Sequence, residues 1–161
     1  MQQPKAIVVG GLGNLLMSDE GVGIYVVRYV ASIQKNLSKA DFIELGTSSM
    51  NVVHAIAGRQ KAVLVDCAWM DEPAGAIRRF TPNEVVSAKE MPYFSLHEGD
   101  LLDALKLSQV LGECPREIVI FGIQPENMEF GEGLSPVLHE QMENYLETIT
   151  RELRAPLLHG N

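Results

Sequence analysis

Short apolar runs of strand length alternate along this chain with longer segments that repeat apolar residues every three or four positions. "KAIVVG" (5–10) is continuously apolar, the pattern of a strand covered on both faces. Residues 20–35 set Val22, Val26, Val27, Tyr29, Val30 and Ile33 largely at helical spacing, which predicts an amphipathic helix. "ADFIELG" (40–46) is a second strand closed by Gly46. Residues 48–59 read as a helix with Ser48 as its cap and Gly58 as its stop. "KAVLVDCAW" (61–69) is a third, very apolar strand with one acid, Asp66, near its end.

Residues 75–82 alternate between Gly75 and Pro82 and predict a short edge strand. After a polar stretch, 97–112 carries Leu101, Leu102, Leu105 and Leu111 and ends on Gly112: a helix. Residues 116–125 form a further buried strand closed by Pro125. A long helix follows over 135–153, with Ser135 as N-cap and Pro136 in the first turn; 156–161 read as a flexible tail.

This order, β-α-β-α-β-β-α-β-α, predicts one domain over residues 1–161, a three-layer α/β/α sandwich on a mostly parallel sheet. In such sheets ligands bind beyond the carboxyl ends of the strands, at a switch in strand order. There the predicted loops place 10–20, 44–47, 66–69 and 123–126.

Charge narrows the classes. Against 21 acidic residues there are 13 basic ones, a net −8 with no Lys/Arg run, so a nucleic-acid partner is not expected. Cys67 and Cys114 are the only cysteines and neither sits in a CxxC, which fits a reducing compartment. No apolar stretch approaches the roughly 20 residues of a membrane span, so the expectation is a cytoplasmic protein. No dimerisation stripe is visible, and a monomer is expected.

The loop "GLGNLLMSDEG" (11–21) joins the first strand to the first helix, the usual place of a phosphate cradle. It lacks the third glycine of G-x-G-x-x-G, and Asp19 and Glu20 stand where a helix dipole favours an incoming anion. Glu44, at the second strand end, comes later than a ribose-binding acid does. A nucleotide- or metal-binding module without catalysis is the alternative function. The stronger reading gathers Glu20 at a helix start, Asp66 at a strand end and His97 at a later helix start into a metal site. Two carboxylates and one imidazole suit Zn, Ni, Mn or Fe(II) and leave positions for water or substrate. Taken singly, each also fits a local role as helix-end acid, Asx-turn residue or first-turn residue. Cys67 follows Asp66 directly and points to the other face of the strand, with no activating base in view.

"GLGNLLMSDEGVG" (11–23), "VDCA" (65–68), "SLHEGDLLDAL" (95–105) and "GIQPENMEFGEGLSP" (122–136) together resemble the [NiFe]-hydrogenase maturation endopeptidases, in register over about residues 5–150. The resemblance implies a five-stranded sheet with one antiparallel strand, residues 75–82. It implies an endopeptidase that clips a C-terminal extension from a hydrogenase large-subunit precursor after nickel insertion. It also carries the metal positions onto Glu20, Asp66 and His97, with nickel arriving in the substrate and other divalent metals able to occupy the same site. One loop departs from the family: the D-G-G-T that follows the second strand is here Glu44-Leu45-Gly46-Thr47, with the acid lengthened and one glycine lost. By the same likeness Gly46 and Thr47 belong to substrate recognition.

For the hydrolytic step, three agents fit the residues: Asp66 as base, Glu44 as base, or a metal-bound water. Asn14 and the amides of the glycine loop suit an oxyanion.

Overall fold

The computed structural model describes residues 3–34, 39–88, 95–96 and 100–158. β1 (Ile7–Leu12) is buried throughout and feeds a 3-10 turn, Ser18–Gly21, and then α1 (Val22–Gln34). β2 (Ala40–Gly46), α2 (Ser49–Ile56), β3 (Lys61–Trp69) and β4 (Ile77–Phe80) follow. Next come α3 (Pro82–Ala88), the two-residue β5 (Ser95–Leu96), α4 (Asp100–Val110) and β6 (Glu117–Ile123). α5 (Pro136–Glu140) and α6 (Met142–Arg154) complete the chain.

The sheet runs β2-β1-β3-β6-β4, parallel except for β4, which lies antiparallel on β6; β5 pairs separately with the last residues of β3. The expected five-stranded sheet with one antiparallel edge strand is therefore what forms. Arg78 and Arg79 on β4 charge that edge, a usual guard against pairing with another chain. α1 and α6 cover one face through Val22, Val26, Val30, Tyr145 and Ile149. α2, α3 and α4 cover the other through Val52, Ile56, Val85, Leu101 and Leu105. Both faces of β3 are buried, which explains its near-continuous apolar sequence.

From β1 the chain goes outward to β2 and then returns to the opposite side of β1 to form β3. The order thus reverses between β1 and β3, and the crevice at their carboxyl ends is the switch point. Gly23 makes that crevice tight. A Cβ there would collide with the carbonyl oxygens of Val65 and Leu12, so only glycine lets α1 start directly on the two strands.

At the opposite, amino end, Lys61 opens β3 fully buried. Its ammonium lies 2.9 Å from Glu117 and 2.7 Å from Glu152, and Arg79 reaches the second Glu152 oxygen at 2.8 Å. A buried cation is tolerated only when paired in this way.

Two local features depart from the pattern reading. "TPNE" (81–84) is a capping box that starts α3: Thr81 N–H donates to the Glu84 carboxylate at 2.6 Å, and Glu84 N–H donates to Thr81 Oγ1 at 3.4 Å. A polar stretch was expected there. The single helix expected over 135–153 breaks at Gln141, whose φ of −87° and ψ of 0° separate α5 from α6.

Candidate active site

The loop leaving β1 consumes its own amides. Gly13 N–H donates to Gly46 O, Met17 N–H to Asn14 O, Ser18 N–H to Gly131 O, Asp19 N–H to Asn127 O and Glu20 N–H to Met17 O. Leu16 N–H donates to Asn14 Oδ1 at 3.0 Å, an Asx turn. A phosphate cradle needs such donors turned toward the ligand, and here they are spent inside the fold. Asn14 shapes the turn as an acceptor, through its carbonyl oxygen to Met17 N–H and its Oδ1 to Leu16 N–H. Gly13, at φ 135°, is required where it stands, because a Cβ would collide with the Glu20 carbonyl.

Asp19 and Glu20 have divided roles. Asp19 is fully buried and its carboxylate accepts four hydrogen bonds. Oδ2 takes the amides of Glu126 and Asn127, each at 2.9 Å, and the Ser135 hydroxyl at 2.8 Å; Oδ1 takes the Ser135 amide at 2.7 Å. Asp19 therefore ties the 126–135 loop to the start of α1. Glu20, the next residue, stays half-buried at the switch point.

Asp66 is fully buried in β3, one residue past the last pairing of that strand with β1, and its Oδ1 accepts the Cys67 amide at 2.8 Å. Cys67 lies on the opposite, α1 face, as the strand period requires. Burial pushes its thiol far above the ordinary range, and the charges of Asp66, Asp19 and Glu20 push it further. Cys67 is held protonated and is no nucleophile. Asp19, Glu20 and Asp66 all lie at the carboxyl edge of β1 and β3, Asp19 and Asp66 buried and Glu20 half-buried.

The loop after β2 is organised differently. Gly11 pairs with Glu44 on one side and Val65 on the other, so Glu44 shares the face of Val65 and lies opposite Asp66. Its carboxylate forms a two-point pair with Arg28 of α1, at 2.6 and 3.0 Å, which holds it below the usual carboxylate range. Glu44 is thus not brought to Asp66, and a carboxylate held ionised is a weak base. Leu45, in place of the family glycine, is 1% exposed and packs over Gly10; Asn51 Nδ2 donates to its carbonyl at 2.9 Å. Gly46, at φ 63°, turns the chain, and Thr47 is exposed beside it.

His97 lies outside the described residues. Among the described residues no three His, Cys, Asp or Glu side chains group as a metal site; Glu20 and Asp66 contribute two acids at the switch point. Two residues at the strand ends that the sequence does not single out as site residues complete the edge. Besides Asp19, buried Gln124 joins the end of β6 to the exit of β3, its Oε1 accepting Met70 N–H at 2.7 Å. The signal for it was "GIQP", a polar residue between a strand and its closing proline. A cavity of about 700 Å3, lined by Ile7, Lys39, Leu153 and Leu157 among others, opens at the amino edge. Its lining includes neither Glu20 nor Asp66. Among the described residues no helix is long and apolar enough to cross a membrane.

This fold, with acids gathered at its switch point, defines an α/β protein built for chemistry at one sheet edge. Residues 24–152 match the family model described as hydrogenase maturation protease, so the chain belongs to that family of peptidases. It is 29% identical over 151 residues to the hydrogenase 2 maturation protease of Escherichia coli strain K12, covering 92% of this chain and 90% of that one. Its fold is also that of an Escherichia coli endopeptidase solved in solution, with a TM-score of 0.77 and 26% identity over 92% of this chain and 91% of that one. The hydrogenase maturating endopeptidase HybD from E. coli superposes with a TM-score of 0.70, at 26% identity and the same two coverages.

Proposed function

We propose that this peptidase removes the C-terminal extension of a [NiFe]-hydrogenase large-subunit precursor once nickel has been inserted. It reads the nickel through Glu20, Asp66 and His97. The observation that supports this most is the placement of Glu20 and Asp66 at the switch point between β1 and β3, Glu20 half-buried in the loop leaving β1 and Asp66 buried one residue past the pairing of the two strands. Asp19, the neighbour of Glu20, is engaged by the 126–135 loop and has a structural task, and Glu20 and Asp66 are the acids assigned to the substrate.

Nickel is part of the substrate in this reading. The two acids fit it by charge and by oxygen-donor chemistry, and the imidazole of His97 adds a borderline ligand. When bound, the ion polarises a carbonyl or a water. The chain's own residues then have defined tasks. Asp66, buried and oriented by the Cys67 amide, fixes the position of the nickel-bearing segment and is the carboxylate best placed to accept a proton from water. Glu20, half-buried in the turn that precedes α1, supplies the second acid. Glu44, held by Arg28 on the far face, is the weaker candidate for base, and Gly46 and Thr47 present the adjoining loop to the extended substrate.

The test is to incubate purified protein with nickel-loaded and nickel-free large-subunit precursor and to read the C-terminus by intact mass. Trimming of the loaded form alone is the expected outcome. Equal trimming of both forms overturns nickel recognition, and trimming of neither overturns the protease reading in favour of a binding module.

A further inference from the structure

The loop between β6 and α5 (124–135) has no regular secondary structure, yet its backbone is fastened along much of its length. Asp19 holds both of its ends, through Glu126, Asn127 and Ser135. In between, Gly131 N–H donates to Leu16 O at 2.8 Å, Ser18 N–H to Gly131 O at 2.8 Å, and Ser18 Oγ to Glu129 O at 2.8 Å. Met128 and Leu134 are half-buried against the core below α1. Phe130, between them, is 82% exposed, and Leu16, across the same backbone bridge, is 49% exposed. Folding has spent a buried carboxylate to hold an aromatic ring in water.

A rigid apolar group presented this way loses little entropy when covered, and aromatic anchors dominate interface energies. Charge says what covers it. Glu126, Glu129 and Glu132 are all exposed around Phe130, and 124–135 contains no Lys or Arg. The complementary surface is apolar at its centre and basic at its rim. Its position adds continuity, because the clamp residue Asp19 immediately precedes Glu20.

We propose that the 124–135 loop, clamped by Asp19, is the docking surface for the hydrogenase large-subunit precursor, with Phe130 and Leu16 seated on an apolar spot flanked by Lys or Arg residues. This rests on the substrate assigned above. Asp19 is in this respect a positioning residue: it touches no reacting atom, and it fixes the surface that brings the precursor to Glu20 and Asp66.

The experiment measures precursor binding together with steady-state trimming for wild type, Phe130→Ala, Glu129→Lys and, as a control, Val110→Ala at the far end of α4. Phe130→Ala is expected to raise both Kd and KM about tenfold while kcat stays within about twofold. Glu129→Lys weakens binding and flattens its salt dependence, and Val110→Ala binds as wild type. If wild type trims the precursor and both loop variants bind like it, the docking surface is wrong and the protease reading survives. If wild type binds without trimming and Phe130→Ala loses the binding, docking stands and the protease reading falls. Absence of both binding and trimming in wild type overturns both.

Discussion

Asp19 and Ser135 stand 116 residues apart in the chain and meet through two hydrogen bonds, from the Ser135 amide at 2.7 Å and its hydroxyl at 2.8 Å. The pair fastens the N-cap of α5 to the start of α1 and so closes the carboxyl edge of the sheet. Asp19→Asn turns an amide NH2 toward donors that need an acceptor. The expected cost is about 3 kcal/mol, with faster hydrogen exchange across 126–135. Ser135→Ala removes only the hydroxyl contact and should cost about 1 kcal/mol. Urea unfolding of the two variants checks the difference; equal costs would mean that the amides, and not Asp19, hold the loop.

Asp66→Asn keeps the volume of the side chain and an oxygen for the Cys67 amide, so the fold should stay within about 1 kcal/mol of wild type while trimming falls by about 100-fold or more. Glu20→Gln and His97→Ala are expected to lose trimming alike. The readouts are thermal unfolding and intact mass of the precursor. Normal trimming by Asp66→Asn would remove it from the mechanism.

Glu44→Gln breaks a largely exposed ion pair and should cost less than about 1 kcal/mol. Trimming should persist. A fall of about 100-fold with the fold intact would restore Glu44 as the base and require the loop to swing away from Arg28 in the complex.

Cys67 has a thiol raised by burial and by three carboxylates. It should resist alkylation at neutral pH in the folded protein, and Cys67→Ser should retain trimming. Rapid modification of Cys67 with loss of activity would contradict the arrangement described.

Burial lifts the Glu152 carboxyl, but hydrogen bonds from Arg79 and Lys61 outweigh it and hold the group below its ordinary value. A depressed carboxylate contributes stability that is fully present above its unfolded value of about 4.3 and is lost as pH falls through the lower folded value. Glu152→Gln should therefore destabilise the protein by about 3 kcal/mol near neutrality, because Lys61 stays buried with half its partners gone. The gap from wild type should narrow below about pH 4. Denaturant midpoints measured from pH 3 to 7 give this directly, and a constant gap would show that packing, not charge, is lost.

The sequence by itself determined the architecture. Apolar runs of strand length, helical spacing between them and Gly or Pro punctuation locate the strands of the main sheet within a few residues, since burial on both faces leaves a compositional imprint on each element. It also pointed to Glu20 and Asp66, because acids at the ends of apolar strands stand out from their surroundings. The antiparallel direction of residues 77–80 came from the family likeness and not from the pattern, which is the same for either direction.

What only the tertiary structure decided is which acid does what. In sequence Asp19 and Glu20 are adjacent and equivalent; in space one accepts four hydrogen bonds from a loop more than 100 residues later and the other remains at the crevice. Glu44 and Asp66 both end strands, and only the register of β2, β1 and β3 sets them on opposite faces. Leu45 looked like a lost glycine and is a core residue over Gly10. The reason is common to all three. Local pattern records whether a residue is buried, whereas partners far along the chain, and the face a strand end presents, are set by long-range pairing that no short window of sequence contains.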